Sequence, residues 1–232
     1  MKPRVAFFDF SSCEGCQLQM ANFGETLLDI LNLVDVVTFR EVMSERSEDY
    51  DIAIIEGSIT TDHDVERIKK IREKAKVLMA YGSCATIGGI NGMKNKFPLE
   101  DIKKYVYKDG AKYFPTIPTR PVHQVVKVDY FINGCPVYPA EIVKVLKAAL
   151  QGIPYEVPDH AVCVECKLNE NVCMYDKGIT CLGPVTKAGC NSWCINNGNT
   201  CYGCRGMVSN PAKNGQMDIL QKYKIPLDWV VN

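Results

Sequence analysis

The chain has 232 residues, enough at about 150 per domain for one or two domains with a real core. Its 27 basic and 27 acidic residues cancel, which argues against a nucleic-acid binder working by charge. With 47% hydrophobic and 23% charged residues, the composition is globular and excludes a disordered chain.

Val5-Ala6-Phe7-Phe8 already reads as a strand, with only Lys2 and Arg4 as cations before it, so no N-terminal targeting segment is expected. Short apolar runs at 5–10, 34–39, 52–55, 77–81 and 130–132 are rich in β-branched and aromatic residues. They suit strands buried on both faces of a parallel sheet. Residues 17–31 are long enough for a crossover helix. Residues 62–75 place Val65, Ile68, Ile71 and Ala75 near one helix face, with Thr61 and Asp64 forming a capping box. A last helix of this part starts near Pro139, with Ile142, Val145, Leu146, Ala149 and Leu150 inward and Gly152 past its end. Alternating strands and helices predict a doubly wound α/β domain. The charge-free stretch 77–93 is too short, and too interrupted by glycine, to span a bilayer.

Beyond Gly152-Ile153-Pro154 and Pro158 the pattern changes. Residues 163–204 hold eight of the 12 cysteines and little periodicity. Their apolar residues are too scattered to hold so long a loop-rich segment, and metal cross-links would supply the missing constraint. A boundary is expected near residue 157, dividing the chain into 1–157 and 158–232, with a short closing helix at 216–223. A cytoplasmic, reducing location is expected, which favours metal or redox chemistry over a disulfide framework.

The other four cysteines share one topological address. Cys13 and Cys16 follow the first strand, Cys84 follows the strand at 77–81, and Cys135 follows the strand at 130–132. Ligands of open parallel sheets bind beyond the carboxyl ends of the strands, so these thiols can converge. Four thiolates suit a 4Fe–4S cluster or a tetrahedral zinc ion. Gly15, Gly82 and Gly134 beside them would let backbone N–H groups approach an anionic group. The Ser11-Ser12 loop could instead cradle a flavin phosphate, which doubly wound sheets commonly place at this edge. A thioredoxin-like pair at Cys13 and Cys16 leaves Cys84 and Cys135 without a role. In the C-terminal part, Cys163, Cys166, Cys173 and Cys181 precede Cys190, Cys194, Cys201 and Cys204. The simplest division is two sequential sets of four, and the count alone fits iron or zinc. Three sites of four ligands then exhaust the cysteines, which favours three clusters arranged for electron transfer. His160 is expected at the surface or behind the ligands, and His63 and His123 as structural or solvated.

Cys13-Glu14-Gly15-Cys16, Gly82-Ser83-Cys84-Ala85-Thr86-Ile87-Gly88-Gly89 and Asn133-Gly134-Cys135-Pro136-Val137-Tyr138-Pro139 together resemble nickel–iron hydrogenase small subunits. Leu182-Gly183-Pro184-Val185-Thr186 and Cys201-Tyr202-Gly203-Cys204 fit the same family. The nearest likeness is to its cytoplasmic, multi-subunit branch of sulfhydrogenase delta-like and F420-non-reducing hydrogenase-like chains. The resemblance implies a flavodoxin-like domain with a proximal 4Fe–4S cluster on Cys13, Cys16, Cys84 and Cys135, followed by a small iron–sulfur domain. There Cys163, Cys166, Cys173 and Cys181 would hold a distal cluster, and Cys190, Cys194, Cys201 and Cys204 a medial one. Exported members use one histidine distally and three cysteines medially; Cys163 and Cys194 replace those features, so both clusters are expected as 4Fe–4S. The export signal and membrane tail of those members are not seen.

The family's nickel–iron centre belongs to the large subunit, so no nickel and no hydrogen activity are expected of this chain alone. It would pass electrons between that subunit and a flavin- or iron–sulfur-containing partner. Glu14, inside the Cys-x-x-Cys loop, would be either a proton relay with a raised pKa or a cap for the helix after it. Glu56 is a second carboxylate at a strand end, its role open. The competing readings are a complex I-type quinone oxidoreductase small subunit and a zinc-stabilised interaction module.

Overall fold

The computed structural model describes residues 2–211 and 213–224 and forms two compact units, Met1–Glu156 and Val157–Asn232. In the first unit, strands β1 (Arg4–Asp9), β2 (Asp35–Thr38), β3 (Ile52–Glu56), β4 (Val77–Tyr81) and β5 (Tyr130–Ile132) form one parallel sheet in the order β2-β1-β3-β4-β5. Helices α1 (Gly15–Ala21), α2 (Glu25–Leu33), α3 (Asp62–Lys74), α4 (Gly82–Ile87), α5 (Leu99–Tyr107) and α6 (Pro139–Leu150) complete it. The second unit carries α7 (Val162–Leu168), α8 (Trp193–Asn196) and α9 (Lys213–Lys222), joined by loops and short 3-10 turns.

Alternation along the strands explains why both faces are covered. Phe7, Ile54, Met79, Tyr81 and Ile132 enter one apolar core with Met20, Val145 and Leu146 from the helices. Ala6, Ala53, Ile55, Leu78 and Ala80 enter the other, with Ile68 and Ile71 of α3. Adjacent positions on one strand thus serve opposite cores, as a doubly wound sheet requires. The capping box at α3 forms: Asp64 N–H donates to Thr61 Oγ1 at 3.1 Å, and Thr61 N–H to Asp64 Oδ2 at 3.0 Å.

The single helix expected over 17–31 is two. The break falls at Asn22-Phe23-Gly24, where Gly24 takes φ 58°, a left-handed conformation open to glycine. The chain between β4 and β5 also makes an excursion through α5 whose apolar residues, such as Tyr105 and Val106, stay exposed. The helix expected at 216–223 begins at Lys213, and Leu220 is buried with Val162, Cys166 and Cys181.

Asp129 ties β4 to the chain entering β5. Its carboxylate accepts from Leu78 N–H at 2.9 Å and from Arg72 Nη1 at 2.6 Å. Burial alone would raise this carboxyl; those donors outweigh it and hold it below the usual carboxylate range. A depressed folded value makes the contribution complete above the unfolded value of about 3.9 and lost as pH falls through the lower folded one. Asp129→Asn is therefore expected to cost about 1–3 kcal/mol near pH 7. In urea unfolding, its difference from the parent should shrink below about pH 4.

Candidate metal centres

The four thiols of the first unit stand at the carboxyl ends of β1, β4 and β5. Cys16 lies in the first turn of α1, Cys84 on α4 directly after β4, and Cys135 after Gly134. Ser83 N–H donates to Gly134 O at 2.7 Å, joining the two later turns. Gly82 has φ 86°, and a Cβ there would lie 2.5 Å from Cys16 Sγ and 3.7 Å from Gly134 O. A Cβ on Gly89, at φ 53°, would lie 2.8 Å from Cys84 Sγ, and one on Gly15 3.3 Å from Cys13 Sγ. Backbone is pressed against sulfur where any side chain would intrude. N–H groups of Val137 and Ile90 favour the thiolates of Cys16 and Cys84. Donors aimed at sulfur are what an anionic iron–sulfur group needs around it, so these residues fit one.

The same thiols feel one another. Burial pushes the Cys84 thiol up to about 11, helped by the charges of Cys135 and Cys13. Cys16 is raised further by burial, then by Glu56, with Cys135 and Cys84 adding to it. Cys13 and Cys135 are exposed and Cys16 is buried, so the group opens at the surface.

Glu56 receives a role that sequence proximity had offered to Glu14. Its side chain is 2% exposed at the end of β3 and accepts from Cys16 N–H at 3.1 Å and Gln17 N–H at 2.9 Å. Those are orphan donors of the first turn of α1. Tyr81, fully buried, donates its hydroxyl to Cys16 O at 2.9 Å. Cys16 is thus held at both its N–H and its carbonyl. Burial raises the Glu56 carboxyl above the usual range, against the lowering effect of the two N–H donors. Glu14 does not cap with its side chain. It takes φ 60° and pairs with Arg40, which also reaches Asp9 at 3.3 Å. Burial and the neighbouring Glu41 raise its carboxyl, and Arg40 opposes them. Ser11 is tied to Thr60, with 2.5 Å between the hydroxyls, and to Ser58 across a bridge.

In the second unit, α7 presents Cys163 and Cys166 one turn apart. Burial pushes the Cys163 thiol up to about 12, and Cys181, Cys166, Cys173 and Cys201 add to it. A Cβ on Gly183 would lie 3.3 Å from Cys163 Sγ and 3.4 Å from Cys181 Sγ, a tight but looser approach of backbone to sulfur. Cys201 lies between the two expected sets: its N–H donates to Cys181 Sγ at 3.4 Å, while both Cys181 and Cys190 raise its thiol. Burial brings that thiol to about 11, against Gly203 N–H and the Thr186 hydroxyl. Glu165 of α7 braces the Cys190 loop, accepting from Gly189 N–H at 2.8 Å and Ser192 N–H at 3.1 Å. Cys194 is exposed on α8 and Cys204 is half-buried. Among the described residues, no three of His, Cys, Asp and Glu close tightly enough to hold a single metal ion. His63, His123 and His160 are exposed.

Local sequence pattern assigns no role to Glu56, Tyr81, Glu165 or Arg205. The signals it does offer are a carboxylate ending an otherwise apolar strand, an acid between the two cysteines of α7, and an arginine directly after Cys204.

Residues 13–149 match the family model described as NADH ubiquinone oxidoreductase, 20 Kd subunit. Sulfhydrogenase 2 subunit delta of Pyrococcus furiosus is 34% identical, over 94% of this chain and 92% of that protein. The vhu F420-non-reducing hydrogenase of Methanocaldococcus jannaschii has a subunit that is 32% identical, over 88% and 81%. A solved NAD+-reducing NiFe-hydrogenase chain superposes with TM-score 0.60 at 26% identity, covering 67% of this chain and 96% of that one. The Ni-Fe-Se hydrogenase from Desulfomicrobium baculatum shares the fold at TM-score 0.61 and 18% identity, over 93% and 98%. These relatives, together with the parallel sheet and its cysteine-rich second unit, mark the chain as an oxidoreductase subunit. The chain belongs to the NADH ubiquinone oxidoreductase 20 Kd subunit family, and within it to the small subunits of nickel–iron hydrogenases.

Replacing Glu56 by Ala strands two buried N–H donors under Cys16. The expected cost is about 1–3 kcal/mol per stranded donor, read from anaerobic unfolding, together with a lower iron content than the parent.

Proposed function

We propose that this hydrogenase subunit carries three 4Fe–4S clusters and conducts electrons between a large subunit holding the nickel–iron site and a flavin- or iron–sulfur-containing subunit. The proximal set is Cys13, Cys16, Cys84 and Cys135. The distal set is Cys163, Cys166, Cys173 and Cys181, and the medial set is Cys190, Cys194, Cys201 and Cys204. One observation carries the reading: thiols at three strand ends raise one another's proton affinity, and glycine backbone lies too close to the Cys16 and Cys84 sulfurs for a Cβ. When bound, such clusters supply one-electron carriers of low to intermediate potential, tuned by hydrogen bonds, charge and burial.

The chain's own residues prepare the sites. Glu56 and Tyr81 fix the backbone of Cys16, and Glu165 fixes the approach to Cys190. N–H groups favour thiolate at Cys16, Cys84 and Cys201. Exposure of Cys13 and Cys135 leaves the first set open to a partner. Among the described residues no helix is long and apolar enough to cross a membrane. A cytoplasmic location belongs to the proposal, since free thiols of this number persist in a reducing compartment.

Anaerobic co-purification with the neighbouring subunits tests the reading. About twelve irons per chain with equal acid-labile sulfide are expected, four for each cubane, along with hydrogen-dependent reduction of NADP, F420 or ferredoxin. The isolated chain should not react with hydrogen. Zinc in place of iron would sink the cluster assignment. The family model's description favours a second reading, quinone reduction. That model ends at residue 149, before the eight C-terminal cysteines, and a hydrogen-independent quinone reductase activity would be its signature.

We also propose Glu14 as a proton relay at the rim of the first set. Its carboxyl has a raised proton affinity and the Arg40 guanidinium holds it in place. Glu14→Gln is expected to slow proton–deuterium exchange at least about tenfold at unchanged iron content. Unchanged exchange would remove Glu14 from the path.

A further inference from the structure

Arg205 is fully buried, 0% exposed, and directly follows Cys204. Its Nε donates to Ala188 O at 2.7 Å and to Lys187 O at 3.2 Å, the segment that runs into Cys190. Ala188 is itself buried, and its N–H donates to His160 O at 2.8 Å, so the segment is fixed. A permanent cation therefore sits one residue beyond one thiol of the second cysteine set and against the backbone two residues before another. Guanidinium keeps its charge throughout the physiological pH range. Withdrawn from water, that charge acts through a low local dielectric, and its field at neighbouring sulfurs exceeds that of a surface lysine. The Cys190 thiol registers it: burial raises the thiol, and Arg205 opposes that rise. The opposing charge is Glu165, but its carboxylate is already engaged by Gly189 and Ser192 and is less deeply buried.

Resting on the assignment of Cys190, Cys194, Cys201 and Cys204 to one 4Fe–4S cluster, we propose that Arg205 sets the potential of that cluster. Its fixed charge raises the potential above what four thiolates alone would give. One electron enters on reduction and no bond is made or broken. The added negative charge is stabilised by a neighbouring cation, so the reduced form gains more than the oxidised one. Arg205 is a positioning residue in this sense: it acts on the carrier's energy without touching hydrogen.

The test uses the anaerobically purified complex with its large subunit. Iron is counted, and each cluster is followed by electron paramagnetic resonance during a redox titration at fixed pH. Arg205→Gln is expected to shift one cluster to lower potential and leave the others in place. Arg205→Lys, which keeps the charge, is expected to leave all of them near the parent values. Full iron content with unchanged potentials in Arg205→Gln overturns the proposal, as does Arg205→Lys falling as far as Arg205→Gln. Should Arg205→Gln lose iron, Arg205→Met, which also removes the charge, decides at full iron content: a lowered potential supports the role of charge, and an unshifted one overturns it. A parent complex with fewer than three clusters overturns the ligand assignment itself, a failure visible before any variant is compared.

Discussion

Sulfur and backbone share a space too small for a Cβ, and the rest of the first unit is arranged around that constraint. Gly82 lies against Cys16 Sγ, and Gly89 against Cys84 Sγ, each at a positive φ that suits glycine. The first of these contacts joins residues far apart in the chain, so it requires strands that end at one edge. A parallel sheet whose two faces are both buried supplies that edge, because its strands all finish on the same side. Packing of Ile54, Met79 and Ile132 in one core and Ala53, Ile55 and Leu78 in the other fixes the strand ends relative to one another.

Buried charge is the second organising element, and it differs between the two units. Beneath the first thiol set lies a buried carboxyl, Glu56, that accepts from N–H donors which would otherwise open the first turn of α1 unsatisfied. Beside the Cys190 loop lies a cation, Arg205, held by main-chain carbonyls. Each is satisfied through backbone groups, which keeps both side chains fixed in place. Both stand close to thiols: Glu56 adds to the rise of the Cys16 thiol, and Arg205 opposes that of Cys190. Glu165 shows the same economy: one carboxylate on α7 accepts two N–H groups of the loop around Cys190.

Relatives that match nearly the whole chain are hydrogenase subunits, and the likeness to solved hydrogenase small subunits extends through the cysteine-rich part. The family model stops before it. What distinguishes this chain from the shared core is therefore carried by the second unit, where short helices α7 and α8 and tight turns replace a large apolar core. Its packed residues include Cys166, Cys181 and Cys201 themselves, so the thiols there serve as part of the core as well as candidate ligands.

The strands at 77–81 and 130–132, the Thr61–Asp64 cap and the inward face of α6 were legible because each rests on local patterning. The break between α1 and α2 was not, since Gly24 interrupts a run whose apolar spacing continues on both sides. Glu14 drew attention as the carboxylate nearest in sequence, yet the cap came from Glu56, 40 residues from Cys16. The sequence alone determined the candidate ligands: the number of thiols, their positions after strands, and the glycines beside them. Tertiary structure alone decided which buried charge faces which thiol, because a carboxylate on β3 and a guanidinium after Cys204 reach their sites through packing that no local pattern encodes.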